Sequence, residues 1–244
     1  MGYLRLKRHN TKVIPRKPTS CRARPITEIL NSNSWSGKRC FILCGGPSLE
    51  NFDFGKIQNE YTISINKSFL KFNSTICYGM DRRFYDSVTH ANRADQESSA
   101  VHNAWLMYKG IKVFPKNSDK AKFDPNVYVV NAIKNSCISL NLNSGIYTGN
   151  NSGFGGMMLA IALGCREIYM LGLDMKVDFK KSRTHHHAGY KHQKIKELQK
   201  VLMKFKKDFE IFSHGIKKLG IKVINLNPDS NLECFPKKDI REVL

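Results

Sequence analysis

Apolar residues in this chain fall in short unbroken runs, and the longest run carries the clearest prediction. From Met157 to Leu163 every residue is apolar, so a helix there has no polar face and must be buried. Ser152 stands where an N-cap is wanted, and Gly164 where a left-handed C-cap is wanted. Ile168 to Leu173 then reads as a wholly apolar strand of the kind found inside a parallel sheet, with Asp174 at its C-terminal end. Earlier strands are predicted at Arg39–Leu43, Tyr61–Ile65 and Thr75–Tyr78, and shorter ones at Ala104–Tyr108, Lys112–Phe114 and Val127–Asn131. Residues 132–149 are irregular, and long irregular connections in compact domains are often functional. In Lys191–Leu219, Ile195, Leu198, Leu202, Phe205, Phe209, Phe212 and Ile216 recur three or four apart, which predicts a long helix with one buried stripe. Gly220 stops it, Ile221–Leu226 is a last strand, and a short helix is expected in the tail after Pro236. Strands alternating with helices give an α/β fold: a single Rossmann-like domain with a mainly parallel sheet and helices on both faces.

Composition sharpens this. Residues 1–35 form a basic N-terminal arm ahead of the domain at 36–244. Positions 1–25 hold eight Arg or Lys, no acid and three prolines, and 26–35 is expected to add a short helix. The whole chain of 244 residues carries a formal net charge of +20, which attracts nucleic acid, an anionic membrane or a phosphorylated substrate. A Lys-rich composition with solvated faces accounts for the same number without a partner. The arm is the expected contact for nucleic acid or an anionic acceptor. Seven cysteines without a CxxC pair point to reduced thiols and a cytoplasmic location. No transmembrane segment or signal peptide is expected, since no apolar run is long enough.

The candidate chemistry lies where strands end. The first strand runs into Cys44-Gly45-Gly46-Pro47-Ser48, whose glycines let the backbone turn sharply and approach a ligand. Pro47 fixes the exit direction, and the Ser48 hydroxyl or nearby amides can meet a phosphate. This is neither the three-glycine dinucleotide fingerprint nor a P-loop. Asn66 follows the second strand and either reads a base or ribose through its donor and acceptor, or caps the next segment. Asn151, Ser152 and Gly153 open the buried helix, where free amides and the helix dipole favour an anion. Asp81 and Asp174 each follow a strand, although Arg82 and Arg83 make a salt bridge the simpler role for Asp81. Four histidines crowd Thr184–His192 and offer proton transfer near neutral pH. No Cys or acid follows at zinc spacing, so no metal site is expected there.

These stretches together resemble a family. Gly-Gly-Pro-Ser-Leu at 45–49, Asn66, and Asn-Ser-Gly at 151–153 running to Gly-Leu-Asp at 172–174 are similar to the small bacterial sialyltransferases acting on lipooligosaccharide. Motility accessory factors, archaeal pterin-diphosphokinase-like proteins and Rossmann-like phage proteins share the likeness. Thr184–Gly189 and Asn227–Pro236 resemble the phage proteins in particular. The resemblance implies a Rossmann-like fold, a CMP-sugar donor and no metal cofactor. It assigns Gly46, Pro47 and Ser48 to the nucleotide loop, Asn66 to the nucleotide, and Ser152-Gly153 to its phosphate and ribose. Gly45 stands where those enzymes carry an asparagine, and Met175 and Lys176 where they carry tyrosines. Their catalytic histidine follows a glycine. Here Gly189 is followed by Tyr190, with His186, His187 and His192 nearby.

The sequence thus predicts a glycosyltransferase taking a sugar from a CMP-sugar-like donor to a hydroxyl acceptor. Nucleotide contacts are expected at Gly45, Gly46, Pro47, Ser48, Asn66, Asn151, Ser152, Gly153 and Asp174. Catalysis is assigned to His186, His192 and Tyr190. Two other readings stand beside it: a non-catalytic nucleotide- or nucleic-acid-binding protein, and a pyrophosphoryl-transfer enzyme with Mg²⁺ at Asp81 or Asp174.

Overall fold

A computed structural model describes residues 21–90, 95–116, 122–176 and 195–244. In chain order the strands are β1 (Cys21–Arg22), β2 (Arg24–Pro25), β3 (Arg39–Leu43), β4 (Tyr61–Ile65), β5 (Ile76–Tyr78), β6 (Ile111–Lys116), β7 (Lys122–Phe123), β8 (Val127–Asn131), β9 (Glu167–Leu171) and β10 (Lys222–Asn225). The α-helices are α1 (Arg82–Thr89), α2 (Gln96–Met107), α3 (Ser152–Ala162) and α4 (Ile195–Lys218). Eight strands form one sheet in the order β10-β9-β3-β4-β5-β6-β8-β2, and every pairing in it is parallel. β1 pairs separately with β7, antiparallel.

The sheet grows from β3 in two directions. The chain steps outward through β4, β5, β6 and β8, then returns through α3 to lay β9 on the other side of β3. Ile42 accordingly faces Ile63 of β4 and Met170 of β9. A reversal of this kind leaves a crevice beyond the C-terminal ends of the two diverging strands, because their outgoing connections leave on opposite sides.

α3 fixes the depth of that crevice. All eleven of its residues are buried. Each larger apolar side chain, such as Phe154, Met157 or Leu159, stabilises by roughly 1.5–3 kcal/mol on full burial, before chain entropy. The helix lies close to the sheet because Gly155 and Gly156 face it. A Cβ at Gly155 would fall 2.6 Å from the Tyr78 hydroxyl, and one at Gly156 2.6 Å from Ile65 Cδ1. α4 covers α3 through Phe209, Phe212 and Ile216. The opposite face of the sheet is covered by α1 and α2, with an aromatic cluster of Phe69, Phe84, Tyr85, Trp105, Tyr108 and Phe114. Beside it, Phe41, Tyr169 and Leu171 meet the tail residues Ile240, Val243 and Leu244.

Several local expectations change. Ala104–Tyr108 is not a strand: Ala104–Met107 closes α2, which Asp95 caps by accepting from the amides of Glu97 and Ser98. Only Val101 and Trp105, one helical turn apart, are buried there, while Leu106 and Met107 face solvent. The apolar run Ile168–Leu173 stops being strand at Leu171, because Gly172 takes a left-handed φ of 64°. Residues 26–35 hold a 3-10 turn at Ile26–Glu28 rather than a regular helix. Ile26 and Trp35 are buried in the main core, and the Trp35 amide donates to the Leu163 carbonyl. The segment directly ahead of β3 is therefore built into the domain, with β2 as a two-residue edge strand on β8. At the other edge the Asn225 amide donates to the Pro236 carbonyl, and Asn225 accepts from the Lys238 amide.

Candidate functional site

A cleft of about 150 Å³ opens beyond the C-terminal ends of β3, β4 and β9. Gly45, Gly46, Pro47, Asn66, Asn151, Ser152, Gly153 and Asp174 all line it, so residues far apart in the chain meet at one place. Ser48 does not line it. His186, His192 and Tyr190 lie outside the described residues, as do residues 1–20 of the basic arm. Lys176 lines the cleft directly after the β9 loop, and Leu202 and Phe205 reach it from α4. Neither α4 residue was singled out for the site in the sequence, where each reads only as part of a buried helical stripe.

At the cleft's edge the start of α3 is a half-satisfied donor array. The N-cap is Asn151 rather than Ser152: its Oδ1 accepts from the Phe154 amide at 2.8 Å, and its carbonyl accepts from the Gly155 amide at 3.1 Å. Ser152 and Gly153 therefore occupy the first turn, where helical amides have no partner within the helix. The positive end of the helix dipole adds to them, and both residues line the cleft. Asp208 of α4 anchors the approach to this turn. Its carboxylate accepts from the Asn150 amide at 2.7 Å and from the Asn150 side chain.

Asn66 faces this array from the end of β4. It opens a 3-10 turn whose N-cap is Ile65, and its own Oδ1 accepts from no amide, which removes the capping role. Its Oδ1 is buried without a hydrogen-bond partner, and a buried acceptor left open costs about 1–3 kcal/mol. Its φ is 51° and that of Met175 is 49°, and both residues line the cleft. Among the described residues no other non-glycine has a positive φ. Such strain persists only where the surroundings over-determine it, and it gathers at ligand sites.

Asp174 works differently from the sequence expectation. It lines the cleft but is 6% exposed, and both carboxylate oxygens are engaged by protein donors. Oδ2 accepts from the Ser48 amide at 2.9 Å, and Oδ1 accepts from the Ser48 hydroxyl at 2.5 Å and Asn227 Nδ2 at 2.6 Å. Ser48 thus directs both its donors to Asp174 rather than to a ligand. The Gly45–Ser48 turn lies flush against this carboxylate: a Cβ at Gly46 would fall 2.5 Å from Asp174 Cγ and from the Gly172 carbonyl oxygen. Cys44, also lining the cleft, has its thiol pushed up to about 12 by burial and then by the Asp174 charge, so it stays protonated at neutral pH.

The residues suited to Mg²⁺ do not fit it. Asp174 has its oxygens spent on Ser48 and Asn227, whereas Mg²⁺ needs carboxylate oxygens free to face it. Asp81 caps α1 by accepting from the Phe84 amide at 2.7 Å and does not line the cleft. It makes no ion pair with Arg82, which bonds Asp86 instead. Among the described residues no three of His, Cys, Asp or Glu gather as a metal set. No described helix is long and apolar enough to cross a membrane.

No family model matches the chain, and no curated protein matches its sequence. Among solved structures, it is similar to the MAf glycosyltransferase from Magnetospirillum magneticum AMB-1, with a TM-score of 0.52 at 15% identity. The match covers 86% of this chain and 37% of that one, so this chain spans little more than a third of that protein. It is also similar to the sialyltransferase CstII from Campylobacter jejuni, solved in complex with a substrate analogue, cytidine-5'-monophosphate. There the TM-score is 0.44 at 15% identity, covering 83% of this chain and 85% of that one. The first likeness shows a shared Rossmann-like fold; the second is too loose to argue from.

Proposed function

We propose that this chain is a nucleotide-sugar-dependent glycosyltransferase, using a CMP-sugar-like donor and a hydroxyl acceptor. One observation carries the reading. The Gly45–Pro47 turn, Asn66 with its unpartnered Oδ1, and the first turn of α3 share a single cleft at the sheet's reversal point. That crevice is where open α/β sheets hold nucleotides. The donor phosphate would rest on the Ser152 and Gly153 amides, and Asn66 Oδ1 would accept from the nucleoside. Lys176 would neutralise the departing phosphate, as a fixed cation does where negative charge develops. A histidine of the 185–192 stretch, His186 first and His192 second, would take the acceptor's proton, with Tyr190 beside it. The name borne by the Magnetospirillum protein and the motif resemblance support transfer of a sugar over simple binding.

The test is a thermal-shift panel of nucleotides and CMP-sugars, with and without divalent metal. A ligand that binds only the folded chain raises its melting temperature. A cytidine nucleotide should do so in EDTA as well as in Mg²⁺. No shift with any nucleotide overturns the reading, and a shift seen only with Mg²⁺ turns it toward pyrophosphoryl transfer. Activity should fall as pH drops through the base histidine's pKa, near ~6.5 if unperturbed, because only neutral imidazole accepts the proton. Full turnover by the His186→Ala/His192→Ala double variant would remove the histidine mechanism.

A further inference from the structure

We propose that Asp174 is a positioning residue of the cleft and makes no contact with the donor, a role that rests on the nucleotide reading above. Its carboxylate is the common anchor of two separate connections. From the β3 side it holds Ser48 through amide and hydroxyl. From the β10 side it holds Asn227. Its own segment is tied down from below. The Leu173 carbonyl accepts from Asn225 Nδ2 at 3.1 Å and Ser230 Oγ at 2.6 Å, and the Asp174 carbonyl accepts from the Asn231 amide at 2.9 Å.

Two consequences follow for the site. Three donors disperse the carboxylate charge toward the protein, so an acid can border a phosphate site without presenting an open oxygen to it. The same bonds hold the Gly-Gly-Pro turn at one height above β9, and they hold Met175 left-handed at φ 49°, which sends Lys176 along the cleft wall. A strained residue needs this many fixed neighbours, because an L side chain resists that region by roughly 1–2 kcal/mol. The turn Asn227-Pro228-Asp229-Ser230 after the last strand, 53 residues beyond Asp174, thereby becomes part of the binding apparatus without touching the ligand.

The hydrogen-bond polarity gives the test. In Asp174→Asn, the new amide oxygen can keep the Ser48 amide and the Ser48 hydroxyl can turn to accept, but the new NH2 then meets the NH2 of Asn227, donor against donor. In Asn227→Asp, two carboxylates meet where 2.6 Å now separates donor and acceptor. In the double variant Asp174→Asn/Asn227→Asp the pair is restored in reverse. Asn at 174 can accept from the Ser48 amide and donate to both the Ser48 hydroxyl oxygen and the new carboxylate. CMP affinity is measured by calorimetry on each protein, alongside hydrogen exchange at the Ser48 amide. Each single change should weaken CMP about tenfold or more and speed Ser48 exchange; the double should recover most of both. Ser48→Ala, at an exposed position and removing one bond only, is the variant least disturbed in folding and should lose CMP affinity severalfold. Wild-type CMP affinity in all variants despite faster Ser48 exchange overturns the positioning role while leaving the nucleotide reading intact. Weakened binding in the singles without recovery in the double overturns it too, since loss of structure alone explains that pattern. Wild-type protein that binds no CMP overturns the nucleotide reading itself.

Discussion

Asp81 and Asp174 look alike in sequence and do opposite things in the molecule. Each is an acid just beyond a parallel strand, one after β5 and one after β9. Asp81 sits in the half where β4, β5 and β6 follow one another in the same direction. There α1 starts directly over the strand end, takes the carboxylate as its cap, and leaves it exposed. Asp174 sits where the sheet reverses between β3 and β9. Among the described residues no α-helix starts directly after β9, and the carboxylate turns inward and joins neighbouring loops around an opening. The lesson is that the direction in which the next strand is laid down decides whether a strand-end acid becomes a cap or an anchor. Residue type does not decide it.

That contrast breaks first at Asp174. Asp174→Ala strands the buried donor of Asn227 at about 1–3 kcal/mol and forfeits two charge-assisted bonds from the exposed Ser48, so chemical denaturation should show a loss of about 3 kcal/mol or more. A loss under 1 kcal/mol would make the two acids equivalent. Gly46→Ala comes next: its methyl meets Asp174 and the Gly172 carbonyl, and overpacking costs about 1–3 kcal/mol. It should also abolish any nucleotide-induced thermal shift. Asp81→Ala should cost only about 0.5–2 kcal/mol, the range for a lost cap, and leave nucleotide affinity unchanged. Met175→Gly should move stability the other way, gaining up to about 1 kcal/mol by releasing the left-handed strain, while binding weakens as the cleft wall loosens.

The smallest effect belongs to the opposite pole of the same strands. The Lys222 ammonium, and then the Tyr169 hydroxyl, hold Glu167 below the usual carboxylate range. A lowered folded pKa stabilises above the ordinary glutamate value near ~4.3 and is lost as pH falls toward the depressed one. Because the pair is well exposed, Glu167→Gln should remove no more than about 0.5 kcal/mol at neutral pH. Its melting temperature should converge with that of the wild type in acid.

Local chemistry made part of this legible. Apolar runs, Gly164 and Gly220 mark the β3, β4, β8, β9 and β10 strands and the helices α3 and α4, because such punctuation acts within a few residues. The Gly-Gly-Pro turn, Asn66 and the Asn-Ser-Gly start of α3 also stood out, and the fold brings them to one cleft. The anchor did not, because Ser48 and Asp174 are 126 residues apart and no local pattern records which strand lies beside which. Ser152 was read as the cap in place of Asn151, since both residue types cap well and only backbone geometry separates them. The end of α2 was read as a strand because Trp105 to Tyr108 is apolar without alternation, and its exposed Leu106 and Met107 hide the helical stripe.

The two margins of the sheet bear on how this protein behaves in crowded solution. A parallel sheet with bare borders is a template on which another chain can add itself and start a fibre. Here one border is two residues long and contains Pro25, which has no amide to offer. The other is occupied at Asn225 by the returning backbone of Pro236 and Lys238, with Lys222 charged beside it. Removing residues 236–244 would uncover that second border, and self-association would then rise with concentration well before the melting temperature fell.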